Sequence, residues 1–126
     1  MVVTRQDTRR IEARLKACQE VLTALGDETR QHIICDMLEV ERPGTRAVDI
    51  AQRANLSRPT VSHHLQILKR AGIVCARKEG PRIYYYLDPD QQAIHRLHEL
   101  AGDILDVTGR AKATAPSRGK DDHERA

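Results

Sequence analysis

Ser57, Arg58, Thr60, Ser62, His63, Gln66, Lys69 and Arg70 follow one another at intervals of one to three residues, and every one of them carries a hydrogen-bond donor. Arg77, Lys78 and Arg82 add three cations a little further along. Side chains of this kind suit a ligand with many anionic oxygens and flat, heteroatom-rich edges. Cationic groups hold phosphates, while Arg, Gln, His, Ser and Thr pair with base edges. The charge of the whole chain is only +3, but its distribution agrees with this chemistry. Residues 42–82 hold Arg42, Arg46, Arg53, Arg58, Lys69, Arg70, Arg77, Lys78 and Arg82 against Asp49 and Glu79, a net +7. The segments on either side are each net −2. Charge alone fits two descriptions, a polyanion-binding segment and a solvated basic face.

Catalysis finds little material. His63 and His64 are adjacent, so on a helix they point about 100° apart and cannot work as a paired acid and base. With Cys75 and scattered carboxylates they form no nucleophile–base–orienter set, and no Gly-rich phosphate loop is present. An enzyme is therefore not expected, and no cofactor is called for. Cys18, Cys35 and Cys75 are odd in number and fit no secreted disulfide framework, so they are expected to be thiols.

The elements that must position these side chains can be read from periodicity. Ile11, Leu15, Cys18, Leu22 and Leu25 form one helical stripe that Gly26 stops. Asp27 is a good N-cap for a second helix, with Ile33, Ile34, Met37 and Leu38 as its buried face and Pro43-Gly44 closing the loop after it. Val48, Ile50, Ala51 and Ala54 predict a short helix, Asn55-Leu56-Ser57 a tight turn, and Ser57 the cap of a further helix that tolerates Pro59 in its first turn. In that helix Val61, Leu65 and Leu68 make the apolar stripe, leaving Pro59, Thr60, His63, Gln66 and Arg70 opposite. This is a helix-turn-helix whose second helix can lie in a major groove.

GIVCARK, the turn Glu79-Gly80-Pro81 and RIYYYLD then predict a basic hairpin, a wing. Alternation sets Tyr84 and Tyr86 on one face and Tyr85 on the other, with at least one Tyr packed on the core. After Asp88-Pro89-Asp90 a last helix carries Ile94, Leu97, Ala101 and Ile104 as its stripe. From Arg110 the chain loses periodicity, so residues 1–109 read as one domain and residues 110–126 as a polar, disordered tail. With no Phe and no Trp, the core must be aliphatic. No run approaches the roughly 18 apolar residues of a membrane span, and the start MVVTRQDTRR lacks the apolar run of a signal peptide, so a cytoplasmic protein is expected.

ALGDETRQHIICDML, VDIAQRANLSRPTVSHHLQILKRAGIV and RKEGPRIYYYLD together resemble the ArsR/SmtB family of bacterial winged-helix repressors. The resemblance spans about residues 20–88, and the run from Leu56 to Val74 is more specific than a generic helix-turn-helix. It implies a mainly α winged helix-turn-helix with a small β-hairpin wing, dimerising through the first and last helices. It further implies a homodimer that binds an imperfect inverted repeat in double-stranded DNA and represses its own or a neighbouring promoter until an effector releases it. The rival is a winged-helix module that binds protein, which would expose apolar residues on that face where this chain has Thr60, His63, Gln66 and Arg70.

The effector is where this chain departs from the family. Soft-metal sensors of the family carry Cys-Val-Cys-Asp-Leu where this chain has Arg46-Ala47-Val48-Asp49-Ile50. Zinc-type members use a His-containing set on the last helix, where the best register here offers Asp90, Gln92, Asp103 and Asp106. His95, His98 and Glu99 lie close together there, but ligand number and spacing favour a solvated polar face over a metal site. No metal is therefore expected, and a small inducer or an oxidant acting at Cys35 or Cys75 is the remaining effector. Arg77 and Lys78 beside Cys75 would favour its thiolate, while Cys35 and Cys18 sit on apolar faces as buried structural thiols.

Overall fold

A computed structural model describes residues 2–40 and 44–113. The order is α1 (Arg5–Ala17), α2 (Gln19–Leu25), α3 (Glu28–Leu38), α4 (Ala47–Ala54), α5 (Arg58–Arg70), β1 (Val74–Glu79), β2 (Arg82–Leu87) and α6 (Gln92–Ala113). Each boundary has a local cause. Thr4 and Asp7 form a reciprocal capping box at the start of α1. The Asp27 carboxylate accepts from the Arg30 amide and opens α3, as expected. Asn55 takes the left-handed conformation at φ 57° to end α4, which lets the Leu56 amide return to the Ala51 carbonyl at 2.9 Å. The Ser57 hydroxyl then caps α5, with Pro59 in the first turn where no amide hydrogen is missed. Gly72, at φ 82°, closes α5 in a Schellman arrangement: its own amide donates to Lys69 and that of Ile73 to Leu68.

The core is aliphatic. Ile33, Ile50, Val61, Leu65, Leu68 and Val74 are its largest fully buried side chains apart from Cys18. Tyr85 is the one buried tyrosine among the three. The wing is an antiparallel pair running from Val74 opposite Leu87 to Glu79 opposite Arg82, joined by Gly80 and Pro81. Thr45 and Tyr85 exchange two backbone hydrogen bonds of 2.8 Å, so β2 is tied to the residue pair that introduces α4.

Several expectations need correction. The single first helix is two, because the Cys18 amide divides between the Arg14 and Leu15 carbonyls and tightens the turn there. As a result Val21 and Ala24 enter the core, while Leu15 and Leu22 of the expected stripe stay 39% and 40% exposed. On α3, Leu38 is exposed and Arg30 is buried in its place. The buried residues of α6 are Ala93, Leu100 and Val107, with Ile94 and Leu97 half-buried; Ala101 and Ile104 face outward. Helix α6 also continues through Arg110 to Ala113, four residues into the expected tail. Arg110 makes a bidentate ion pair with the buried Asp7, 3.0 Å at each oxygen. Glu41, Arg42, Pro43 and the rest of the expected tail lie outside the described residues.

Candidate nucleic-acid interface

The exposed surface of α5 is built by the same periodicity that buries Val61, Leu65 and Leu68. Pro59, His63, Gln66 and Arg70 are exposed and occupy its outer crest. Arg58, the half-buried Ser62 and Lys69 lie on the flank toward the wing, roughly 140° around the helix from His63 in the case of Arg58. Thr60 is on the opposite flank, where its hydroxyl accepts from Ser57 Oγ at 2.7 Å. The predicted residues are therefore brought to one side of the molecule but not to one line: crest, wing flank and far flank are distinct.

The second layer of this site was not legible in the sequence. Arg30 is buried between α2, α3 and α5, donating from Nε to the Ala24 carbonyl at 3.0 Å and from Nη2 to the Thr23 carbonyl at 3.2 Å. Its Nη1 lies 3.1 Å from His64 Nδ1, so His64 must accept there and is held as the neutral imidazole. Burial pushes the His64 pKa below its ordinary value, with Arg30 and His63 adding to that and Asp27 opposing it. His63 and His64 thus divide their work: one faces out, the other ties the recognition helix to the scaffold.

On the wing, Lys78 and Arg82 are exposed, but Arg77 is not a free cation. Its Nε binds Glu79 at 2.6 Å, and its guanidinium lies over the Tyr84 and Tyr86 rings, 5.3 and 5.9 Å from their centroids. Arg53 is likewise occupied, gripping Asp36 through two contacts of 2.7 Å and donating to Thr45 Oγ1 at 3.1 Å. Two of the nine cations counted in the basic segment are therefore neutralised within the protein.

The thiols depart from expectation. Cys35 is exposed and Cys18 is buried. Cys75 is half-buried; burial pushes its thiol pKa up and Asp88 raises it further, so the thiolate expected from Arg77 and Lys78 is disfavoured. Arg77 is turned toward Glu79 and the tyrosines instead. His95, His98 and Glu99 are exposed on α6, and Glu99 pairs with Arg14 at 3.3 Å. Among the described residues no group of three or more His, Cys, Asp or Glu side chains could hold a metal ion, and no helix is long and apolar enough to cross a membrane.

Comparison with known proteins decides among the functions this geometry could serve. Residues 27–75 match the model described as bacterial regulatory protein, arsR family. The transcriptional repressor SdpR of Bacillus subtilis is 41% identical over 68 residues, covering 54% of this chain and 72% of that one. An HTH-type transcriptional regulator of Methanocaldococcus jannaschii is 43% identical over 72 residues, 57% of this chain and 79% of its own. The chain belongs to the ArsR family. It is a winged helix-turn-helix DNA-binding regulator of transcription, and the alternative of a protein-binding module without DNA readout is not supported. The solution structure of a homodimeric winged helix-turn-helix DNA-binding domain from Mycobacterium bovis, a possible ArsR-family regulator, shares 28% identity. It aligns with a TM-score of 0.58 over 86% of this ArsR-family chain and 94% of the other.

Proposed function

We propose that the protein is a cytoplasmic homodimeric repressor that binds an imperfect inverted repeat in its own or a neighbouring promoter and is released by an effector. The observation that carries this reading is the division of α5, whose inner face is wholly buried while His63, Gln66 and Arg70 stand exposed beside a wing with Lys78 and Arg82 free. Such a helix presents hydrogen-bonding groups to base edges while the flanking cations hold the backbone. His63, Gln66, Arg70 and Thr60 are assigned to bases. Ser57, Lys69, Lys78 and Arg82 are assigned to phosphates, and Arg77 to shaping the wing. The dimer reading is supported by Leu15, Leu22, Ile104 and Leu105, which leave apolar surface exposed on α1, α2 and α6, and by the homodimeric M. bovis relative.

Selection of random duplexes with the purified protein, with its mass in solution measured in parallel, tests the reading. A dimer enriching two half-sites about 10–10.5 base pairs apart, or a multiple of that, is expected. A monomer enriching nothing would overturn it. For the effector, an oxidant acting at the accessible Cys35 is favoured over the half-buried Cys75. Operator binding that is lost with peroxide and retained in Cys35→Ser supports this; loss in both proteins removes Cys35 from the mechanism.

A further inference from the structure

One cavity of the interface gathers three of its cations. Between the start of α4, the first turns of α5 and the wing lies a cleft of about 190 Å³, lined among others by Arg46, Arg58, Ser62, Arg82 and Tyr85. Arg46 is the residue that caps α4, Arg58 the first of α5 and Arg82 the first of β2. Three separate elements therefore each contribute one guanidinium. Among the described residues none of the three has a hydrogen-bond or ion-pair partner, whereas Arg53 and Arg77 are matched with Asp36 and Glu79. Like charges held together in this way repel unless an anion joins them. No side chain caps the start of α4, so its free amides add to the same positive field.

The placement is also fixed before any ligand arrives. The paired Thr45–Tyr85 backbone bonds stand one residue before Arg46 and within the strand that Arg82 begins. Arg53 secures Thr45 from behind while bound to Asp36. A flat base edge offers acceptors in one plane, but a tetrahedral phosphate can receive guanidinium groups from several directions at once. The position of Arg58 on the flank of α5, away from the crest, fits the second ligand and not the first.

We propose that this cleft seats a single phosphodiester of the DNA strand passing between the recognition helix and the wing, so that Arg46, Arg58 and Arg82 act as one phosphate clamp. The proposal rests on the DNA-binding reading above, moves Arg58 from base reader to backbone holder, and adds Arg46 to the interface.

The test titrates wild-type protein, Arg46→Gln and Arg82→Gln with a selected duplex at several salt concentrations. It then repeats the titration with duplexes bearing one neutral methylphosphonate at each backbone position in turn. Each variant should bind all selected sequences more weakly by the same factor and keep the same sequence logo. Its slope of log K against log salt should flatten by roughly 0.9, the value for one lost phosphate contact. One methylphosphonate position should weaken wild type several-fold and leave both variants unaffected, the mark of a direct pair. If losses from every position simply add to those of the variants, the clamp is overturned while DNA binding stands. If wild type binds no duplex, the clamp and the reading beneath it fall together. Inorganic phosphate added at constant ionic strength separates the sources of the anion. Displacement of duplex from wild type but not from Arg46→Gln would assign the cleft to a free anion and overturn the DNA assignment; no displacement agrees with it.

Discussion

Arginine does opposite work at the two ends of this molecule. Where α1 meets α6, Arg10, Arg14 and Arg110 are matched with Asp7, Glu99, Asp103 and Asp106, and the cations act as fasteners. Around α4, α5 and the wing, Arg46, Arg58 and Arg82 converge on one cleft with no carboxylate assigned to them among the described residues. Abundance of the residue says nothing about which role it takes. The position of the nearest acid does, and that is settled by which helices pack together. The difference teaches that a basic protein should be scored by its unmatched cations, since only those can release counterions from a polyanion.

The largest effect expected from breaking this division comes from Arg30, the cation that belongs to both regions. Arg30→Met should remove the donors of the Thr23 and Ala24 carbonyls and of His64, leaving buried acceptors unpaired at a cost of about 3 kcal/mol in unfolding free energy. Denaturant unfolding measures it; a cost below 1 kcal/mol would mean that water or a rearranged side chain replaces the guanidinium.

Next in size is the outward histidine. His63→Ala should weaken operator binding by roughly 1–3 kcal/mol and relax specificity at one position of the half-site, with thermal stability unchanged. An unchanged sequence logo would remove His63 from the readers.

Acid should act on the two regions in separate windows. His64 has its pKa lowered by folding, so the unfolded chain takes up its proton first, and stability should decline as pH falls below about 6.5. Asp7 is held well below the usual carboxylate range, first by the hydrogen bonds from Arg110 and then by the Thr4 amide. Its contribution should therefore be intact above about pH 4 and decline only beneath it. Thermal unfolding against pH, with His64→Gln and Asp7→Asn, separates the two. Each substitution should flatten its own window and leave the other sloping.

The smallest change converts one matched cation into an unmatched one. Glu79→Gln removes the carboxylate from Arg77 at an exposed pair, so stability should move by less than about 1 kcal/mol. DNA binding should nonetheless tighten slightly and grow more salt-dependent. No change in the salt dependence would show that the tyrosines, and not Glu79, hold Arg77 away from DNA.

What could be read in advance follows from the range of the forces involved. Asp27, Asn55, Ser57 and the Gly80-Pro81 turn act on neighbours within a few residues, so the helix-turn-helix and the wing were visible in the chain. The break at Cys18 was hidden, because the apolar spacing of four and three continues across it in either description. On α6 the apolar residues come as adjacent pairs, Ala93-Ile94, Leu100-Ala101 and Ile104-Leu105. Periodicity could not say which of each pair turns inward. Helix α6 outlasts its apolar pattern because Arg110 meets Asp7 from the far end of the chain, and Arg30, Arg46 and Arg53 took their roles from packing of the same distant kind.

The bridge between Thr45 and Tyr85 has a bearing on the order in which the molecule assembles. The hairpin of β1 and β2 can close by itself in microseconds, since its strands meet across two residues. Joining it to Thr45 requires α4 and α5, which lie between them in the chain, to be in place first, and that closure carries the larger entropic cost. A nascent chain can thus own a finished wing and a finished recognition helix while Arg46, Arg58 and Arg82 remain apart. The surface with the highest density of unmatched charge would be the last part of the protein to exist and the first to come undone.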